Sequence, residues 1–313
     1  GKPKGIPVKH LALNQTAQTN LEMLELTVQS RVLQFANICF DASIPEIFPT
    51  FLSGATLVLP QEAMRKDWSL LLPLLEEQRI SFFSIPPALL TVLPHASLPS
   101  LSTIIIGGDS TSQEAIDYWS EGRRFINAYG PAENCVDATY GLLHPGSHVN
   151  DIGETMPGVT CYVLDKQMHL VPDYMVGELY IGGVKLTDGY INRPELNAEK
   201  FVPNPFVSEE DKAKGVNLRL YKSGDLVMRR EDGHLIFMGR SDYQVKLNAH
   251  LIELGEIEAK LMDFGSDIKD AVALVHAFGN RKELIAYVLV EAPDLYPVAK
   301  LTDYLQVCLP HYM

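Results

Sequence analysis

Short apolar runs that end at glycine or proline, with a helical segment between them, are the feature that most limits how this chain can fold. Apolar residues recur at helical spacing over residues 67–78, with Asp67 at the N-cap position, which predicts an amphipathic helix. The runs at 80–85, 103–106 and 124–127 are predicted to be buried strands. This alternation predicts an α/β domain with a parallel sheet, whose ligands bind at the carboxyl ends of the strands.

The pattern changes after Gly158, where short strands are separated by Gly, Pro and Asp turns. It predicts a smaller β-rich subdomain, with strands at residues 161–164, 178–181, 218–222 and 234–238. A third unit follows Arg240. Its predicted elements are helices at 251–264 and 297–307 and a strand pair, 271–276 with 283–290, joined by a turn at 279–280.

Charge and apolar content narrow the functional classes. The net charge of −13 over 313 residues argues against a nucleic-acid backbone or an anionic membrane as the main partner. No apolar run approaches the roughly 20 residues that span a bilayer, and no signal peptide is visible. The four cysteines form no Cys-x-x-Cys pair, which predicts reduced thiols in a cytoplasmic protein. The ends, G-K-P-K-G without an initiating Met and L-P-H-Y-M, predict a piece of a larger chain.

Three polar motifs follow one another along the chain. They are N-A-Y-G-P-A-E at residues 127–133, Y-K-S-G-D-L at 221–226 and G-R-S-D-Y-Q-V-K at 239–246. Each motif alone is typical of a turn, because Gly, Pro and Asp mark turns in most proteins. Together and in this order they resemble the ATP-using core of adenylate-forming, AMP-binding enzymes. The resemblance is closest to the amino-acid-activating adenylation domains of nonribosomal peptide synthetases, and it covers nearly the whole chain.

The resemblance implies an α/β, adenylate-forming fold in three parts. Residues 1–157 would form the parallel-sheet α/β part of the large subdomain, incomplete at its N-terminus, and residues 158–241 its β-rich part. Residues 242–313 would form a small, incomplete α+β C-terminal lid. The family's catalytic lysine near the end of the lid lies beyond Met313, so the chain by itself is expected to be impaired in adenylation.

The resemblance also implies a ligase with defined cofactors and partners. ATP and Mg²⁺ would serve to activate an amino acid as aminoacyl-AMP. The aminoacyl group would then pass to the phosphopantetheine thiol of a peptidyl carrier protein, in secondary metabolite biosynthesis. The implied partners are the amino acid, that carrier protein, neighbouring synthetase domains and a small accessory protein.

Within the nucleotide site, the resemblance assigns a role to each motif residue. Asn127, Ala128 and Tyr129 would lie against the adenine, with the aromatic ring packed on the base. Glu133 would hold Mg²⁺, and a carboxylate is the hard oxygen donor that this ion prefers. Asp225 would accept hydrogen bonds from both ribose hydroxyls, as a carboxylate does in dinucleotide sites.

Basic residues outside the first motif are assigned to the phosphates and to the lid. Lys4 would be the second lysine of the phosphate loop, and Arg240 and Lys246 would lie near the ribose and the phosphates. Asp242 would be the hinge about which the lid turns between adenylation and thioester formation. Lys4, Glu133 and Lys246 are thus the predicted catalytic residues, and two further residues complete the nucleotide site: Gly108 and Phe237.

The motif F-D-A-S at residues 40–43 matches the family segment that holds the substrate. Its Asp41 would bind the α-ammonium group, which implies an amino acid rather than an aryl or fatty acid, because those offer no cation to offset a buried carboxylate. The other predicted lining residues are mostly small or apolar: Ala42, Pro45, Ser84, Ile105, Gly107, Ala128, Val136 and Asp137.

Asp137 leaves two interpretations open. An unpaired buried carboxylate is costly, so the substrate side chain could supply a cation or a hydroxyl, and an ornithine- or lysine-like amino acid is the first hypothesis. The alternative is a partner for Asp137 within the protein.

The chain departs from the family pattern at two further places. Ala132 replaces a threonine whose hydroxyl reaches a phosphate, a hydrogen bond to a charged group worth about 1.5–3 kcal/mol. Asn-Ala-His-Leu at 248–251 replaces the Arg-Gly-x-Arg loop that lines the phosphopantetheine tunnel, which puts thioester formation in doubt. These departures favour one rival function, a non-catalytic module that binds nucleotide or docks a carrier protein. The other rival is an acyl-CoA synthetase, against which Asp41 argues.

Overall fold

The computed structural model describes residues 4–241, 244–247, 250–265, 267–278, 281–290, 297–310 and 312–313. The chain divides into two compact units, Lys4–Gly239 and a second unit that contains Arg240–Met313. Most of the predicted site residues belong to the first unit. Asp242, the predicted turn at 279–280 and residues 248–249 of the altered loop lie outside the described residues.

The first part of unit Lys4–Gly239 is a parallel sheet with helices. Strand β1 pairs with β2 and β3, and β3, β4 and β5 follow in parallel order, as predicted. The strands are β1 (Arg31–Leu33), β2 (Thr56–Val58), β3 (Phe82–Ser84), β4 (Thr103–Gly107) and β5 (Arg124–Tyr129). The helices are α1 (His10–Met23), α2 (Ile44–Leu52), α3 (Trp68–Glu77), α4 (Pro87–Val92) and α5 (Gln113–Trp119), and 3-10 turns cover Asp41–Ser43, Glu62–Arg65 and Ala132–Asn134.

Helix α3 begins where the sequence predicted. The Asp67 carboxylate accepts a hydrogen bond from the Ser69 N–H at 2.8 Å, which satisfies one of the backbone donors that a helix leaves unpaired at its start. Leu71 and Leu75 of the same helix are buried. The period of the apolar residues therefore predicted both the element and the face that it buries.

The sheet continues into an antiparallel part through β6, β7 and β12. Its later strands pair in the order β12–β11–β9–β8, with β10 on β11. The strands are β6 (Thr139–Leu143), β7 (Asp151–Thr155), β8 (Val159–Leu164), β9 (Val176–Gly183), β10 (Phe201–Pro203), β11 (Arg219–Arg229) and β12 (Leu235–Arg240). Two short helices accompany them: α6 (Pro194–Lys200) and α7 (Glu209–Lys214).

Alternate residues of the central strands enter two different cores. Ile105 packs with Ile126 and Val32 on one side of the sheet, whereas Ile104 and Ile106 belong to a second cluster. Both sides are buried because helices cover a parallel sheet on both faces. This double burial explains why the predicted strands are continuous apolar runs rather than alternating ones.

The second unit has a core of its own, in which Ile252, Ile257, Leu261 and Leu301 are buried. Strand β13 pairs antiparallel with β14, and β15 pairs antiparallel with β16 as predicted. The elements are β13 (Gln244–Leu247), β14 (His250–Glu253), α8 (Leu254–Asp263), β15 (Ile268–Phe278), β16 (Arg281–Val290) and α9 (Val298–Cys308).

The predicted helix at 251–264 was wrong at its start. Helix α8 begins at Leu254, because Leu251 pairs with Lys246 and Glu253 pairs with Gln244 in the β13–β14 ladder. The apolar spacing of these few residues fits either element, and the tertiary pairing selects the strand.

Candidate active site

The predicted pocket residues on β3, β4 and β5 lie side by side at the carboxyl ends of these strands. Ser84 is in register with Ile105, and Gly107 is in register with Ala128. Ile105 and Gly107 are two residues apart on one strand, so these four residues share one face of the sheet. Four of the predicted lining positions are therefore brought together by strand register alone.

The loop after β5 folds back tightly on itself. A Cβ atom at Gly130 would lie 2.2 Å from the Val136 carbonyl oxygen, and one at Gly107 would lie 2.7 Å from that of Ala128. Cys135 and Val136 have φ values of +54° and +76°. A β-branched residue such as Val136 rarely adopts this left-handed conformation, and such strain occurs often at ligand sites. The strain lies at a predicted substrate-lining residue.

Asp137 is buried, with 5% of its surface exposed, and its partners belong to the protein. The Asn20 side chain on α1 donates to its carboxylate at 3.1 Å. Its main-chain carbonyl accepts hydrogen bonds from the Asn134 amide at 2.9 Å and from the Lys185 ammonium group at 2.5 Å. Burial raises the pKa of Asp137, while the Lys185 charge and the Asn20 hydrogen bond oppose that rise.

Asp41 lies at the start of a 3-10 turn, next to the exposed Ala42 and ahead of the buried Pro45 in α2. As a whole residue Asp41 is exposed. Its carboxyl is nevertheless partly enclosed by protein, and this desolvation raises its pKa, followed by the negative charges of Asp137 and Glu133. The two carboxyls of Asp137 and Glu133 therefore contribute to the electrostatic environment of Asp41.

Glu133 is joined to the N-terminal segment through a tyrosine. Its carboxylate accepts a hydrogen bond from the Tyr190 hydroxyl at 2.5 Å, and the Lys4 ammonium lies 5.2 Å from the centre of the Tyr190 ring. Burial, followed by the Glu133 charge, raises the pKa of Tyr190. The structure thus brings two predicted catalytic residues, Lys4 and Glu133, into contact with one tyrosine.

The donor set near Glu133 fits Mg²⁺ bound mainly by phosphates. Among the described residues, no group of three or more His, Cys, Asp or Glu side chains is placed to hold a metal ion. Mg²⁺ in phosphate-transfer sites commonly takes only one or two carboxylates, together with phosphate oxygens and water. A single hydrogen bond from Tyr190 leaves lone pairs on the Glu133 carboxylate for such a cation.

Tyr129 and Asp225, predicted for the adenine and the ribose, contact each other directly. The Tyr129 hydroxyl donates to the Asp225 carboxylate, and burial together with the Asp225 charge raises the pKa of Tyr129. Asp225 follows Gly224, whose φ is +76°, at a register shift in the β11–β9 ladder. A bulge of this kind re-aims a side chain, here toward the end of β5.

The remaining predicted nucleotide residues are less closely connected. The Asn127 side chain donates to the Asp151 main-chain oxygen at 2.8 Å, Gly108 follows β4 with a φ of +85°, and Phe237 packs against the first core. Arg240 and Lys246 belong to the second unit, where Lys246 lies in β13 opposite Leu251.

Three residues of the site were not anticipated from the sequence. They are Asn20 on α1, Lys185 after β9 and Tyr190, which hydrogen-bonds to Glu133. Only Lys185 carried a visible signal, since this lysine lies between the apolar Val184 and Leu186, two residues after Gly182–Gly183. The described part of the chain contains no helix that is both long and apolar enough to cross a bilayer.

Comparison with known proteins places this geometry in a family. A family model described as AMP-binding enzyme matches residues 1–191. Bacitracin synthase 3 of Bacillus licheniformis is 39% identical over 313 residues, which cover 100% of this chain but 5% of that protein. The chain therefore spans only a small part of this relative.

Solved structures resemble the fold over nearly the whole chain. Holo-PA1221, an NRPS protein containing adenylation and PCP domains bound to a vinylsulfonamide inhibitor, has a TM-score of 0.81 at 26% identity, over 96% of this chain and 52% of that one. Holo-AB3403, a four-domain nonribosomal peptide synthetase bound to AMP and glycine, has a TM-score of 0.70 at 31% identity, over 100% and 23%. The predicted adenylate-forming fold is confirmed, and the chain belongs to the AMP-binding enzyme family.

Proposed function

We propose that this chain is the main part of an adenylation domain that activates an amino acid with ATP. The substrate carboxylate attacks the α-phosphorus, the bond from that phosphorus to the bridging oxygen breaks, and its electron pair leaves with pyrophosphate. The products are aminoacyl-AMP and pyrophosphate. The observation that carries the proposal is the pocket formed in register on three strands, followed directly after β5 by the motif carboxylate Glu133, which is buried and hydrogen-bonded to Tyr190.

The roles follow from the chemistry of each group. Asp41 would pair with the substrate α-ammonium group, whose positive charge offsets that of the carboxylate. Glu133 would hold Mg²⁺ on the phosphates, and Lys4, beside the Tyr190 ring, would reach the triphosphate. Mg²⁺, when bound, would neutralise phosphate charge.

The adenosine part would be held by the two residues that already contact each other. Asp225 would accept hydrogen bonds from the ribose hydroxyls, held in place by the Tyr129 hydroxyl. Gly108, Asn127, Ala128 and Phe237 would complete the adenine site. Arg240 and Lys246 would act on the phosphates, and Asp242 would be the hinge of a lid that comprises residues 242–313.

We further propose a carrier protein as the second substrate. Its phosphopantetheine thiol would attack the aminoacyl carbonyl. A thioester would form between the thiol sulfur and the carbonyl carbon, and AMP would leave. Support comes from the likeness to holo-PA1221, a protein that contains adenylation and PCP domains. The parent protein would contain neighbouring synthetase domains, work with a small accessory protein and reside in the cytoplasm.

Amino-acid-dependent exchange between ATP and pyrophosphate tests the proposed function. The parent protein should catalyse exchange with at least one amino acid from a panel, and Asp41→Ala should abolish it because the α-ammonium group loses its partner. Asp173→Ala, an exposed carboxylate paired with Arg229, is the matched control and should retain exchange. ATP binding without exchange for any amino acid would indicate a non-catalytic module, and a product that requires CoA would indicate an acyl-CoA synthetase.

A further inference from the structure

Lys185 is a lysine enclosed by the protein, with 1% of its surface exposed. It follows β9, and its ammonium group donates to the main-chain carbonyl of Asp137 at 2.5 Å. Lysine side chains are almost never fully buried without a compensating charge. Burial lowers the pKa of Lys185, and the largest opposing effect is the charge of Asp137. The protein therefore places a buried lysine side chain against the main chain of Asp137, a residue of the predicted substrate pocket.

The surroundings of the two charges contain few other ionisable groups. Lys185 interacts electrostatically with Asp137, Cys135 and Cys161, and burial raises the pKa of both thiols. Neutral thiols leave Lys185 as the charged group that acts on the Asp137 carboxyl. One positive and one negative charge sum to zero.

The ammonium group of Lys185 contacts the main-chain carbonyl of Asp137. The carboxylate of Asp137 accepts a hydrogen bond from the Asn20 side-chain amide, at an N to O distance of 3.1 Å. Asn20 has 0% of its surface exposed, and among the described residues its side-chain oxygen has no hydrogen-bond partner. A buried acceptor without a donor is costly, and a hydroxyl or amide of a ligand could supply that donor.

We propose that Lys185 is the internal countercharge of the substrate pocket, so that the domain selects an amino acid with an uncharged side chain that carries a hydroxyl or amide donor. This inference rests on the proposed function. It replaces the hypothesis of an ornithine- or lysine-like substrate, because a second cation would meet the Lys185 charge without an unpaired carboxylate to offset it. Lys185 is a positioning residue, since it acts through the potential at Asp137.

The role of Lys185 can be tested by comparing the substrate preference of the wild type with that of variants that remove one charge, at Lys185 or at Asp137. The kcat/KM of ATP–pyrophosphate exchange would be measured on the parent protein with serine, threonine, asparagine, ornithine, lysine, aspartate and glutamate. Lys185→Met keeps the length of the side chain and leaves Asp137 uncompensated. It should raise the ratio of basic to neutral substrates about tenfold or more, as expected for one buried charge.

Asp137→Asn is the opposite change and should raise the ratio of acidic to neutral substrates, because it leaves the Lys185 charge uncompensated. The double variant, which combines Lys185→Met with Asp137→Asn, should again prefer neutral substrates. Lys200→Met, a partly buried lysine beside Glu199, is the matched control and should leave all ratios unchanged. A purely structural role of Lys185 would lower activity with every substrate without changing these ratios.

Each outcome decides the inference. A wild-type preference for serine, threonine or asparagine, with opposite shifts in the two single variants, supports it. A wild-type preference for ornithine or lysine overturns it and leaves the proposed function intact, as do unchanged ratios in a folded Lys185→Met protein. If Lys185→Met does not fold, the inference is decided by the substrate preference of the wild type and by the ratio of acidic to neutral substrates in Asp137→Asn. If no amino acid supports exchange, the proposed function itself is wrong.

Discussion

At the scale of single residues, the side chains of the site are held by one another before any ligand arrives. Tyr129 donates to Asp225, Tyr190 donates to Glu133, and Asn20 donates to Asp137. Each carboxylate thus has a neutral donor that fixes its direction. Preorganised groups of this kind lose little entropy when substrate binds.

The Tyr129–Asp225 contact yields a residue-scale prediction. Tyr129→Phe keeps the ring that would pack on adenine but removes the donor to Asp225. Since a hydrogen bond to a charged group is worth about 1.5–3 kcal/mol, we expect KM for ATP to rise about tenfold or more. Steady-state exchange at varied ATP measures the change.

A second tyrosine provides the control for this experiment. Tyr180 is buried on β9 in a separate cluster with Leu164 and Leu220, so Tyr180→Phe should leave KM for ATP unchanged. An unaltered KM in Tyr129→Phe would show that Asp225 does not depend on this donor.

At the scale of elements, α2 holds the segment that carries Asp41. Glu46 of α2 is fully buried, and its carboxylate accepts hydrogen bonds from the Ala36 N–H at 3.1 Å and the Gln34 amide at 3.1 Å. Burial outweighs these donors and raises the pKa of Glu46 to about 7. The loop between β1 and α2 is therefore fastened by a group that titrates near neutral pH.

Glu46 predicts a pH dependence of stability. Its folded pKa of about 7 lies above the ordinary value of 4.5, so its contribution to folding is full below pH 4.5 and is lost as pH rises through about 7. The loss across this window is about 3 kcal/mol. Glu46→Gln stays neutral throughout, so the free energy of unfolding of the wild type relative to this variant should fall between pH 5 and pH 8.

Urea unfolding at several pH values would measure this difference. The exposed Glu77 on α3 supplies the control, because Glu77→Gln should give a nearly constant difference from wild type. A difference that is equally constant for Glu46→Gln would mean that the buried carboxyl does not titrate in this range.

The local sequence pattern predicted the helices and strands better than it predicted the contacts of the candidate active site. Asp67 and the spacing of Leu71 and Leu75 were sufficient for α3, because capping and helical period are local properties. Residues 251–253 were misassigned, since their pairing with β13 depends on a partner strand. Lys185 and Asn20 escaped notice for a related reason: they meet Asp137 across 48 and 117 positions of sequence.

At the scale of the whole molecule, the two units each have a core of their own. Unit Lys4–Gly239 contains the two large clusters around Phe82 and Phe83, and the second unit contains the cluster around Ile257. Independent cores predict independent folding. The predicted adenine and ribose residues lie in the first unit, whereas Arg240 and Lys246 lie in the second.

This division predicts how a fragment should behave. Residues 4–239 produced alone should fold cooperatively and bind ATP in calorimetric titration, yet show no pyrophosphate exchange, because Arg240 and Lys246 are absent. Asp225→Asn in the same fragment is the control and should abolish binding. A fragment that aggregates, or that binds no nucleotide although it is folded, would contradict this assignment of the nucleotide site to the first unit.

The sequence by itself determined the order of elements and the family, and it predicted the motif residues Asp41, Glu133 and Asp225, because helical period, turn residues and short motifs are local. The tertiary structure decided which groups meet: Tyr129 with Asp225, Tyr190 with Glu133, and Lys185 with Asp137. Net charge and polarity at the end of the pocket depend on distances between residues far apart in the chain. For this reason a local motif could predict the pocket, whereas only the fold showed that Lys185 lies against Asp137.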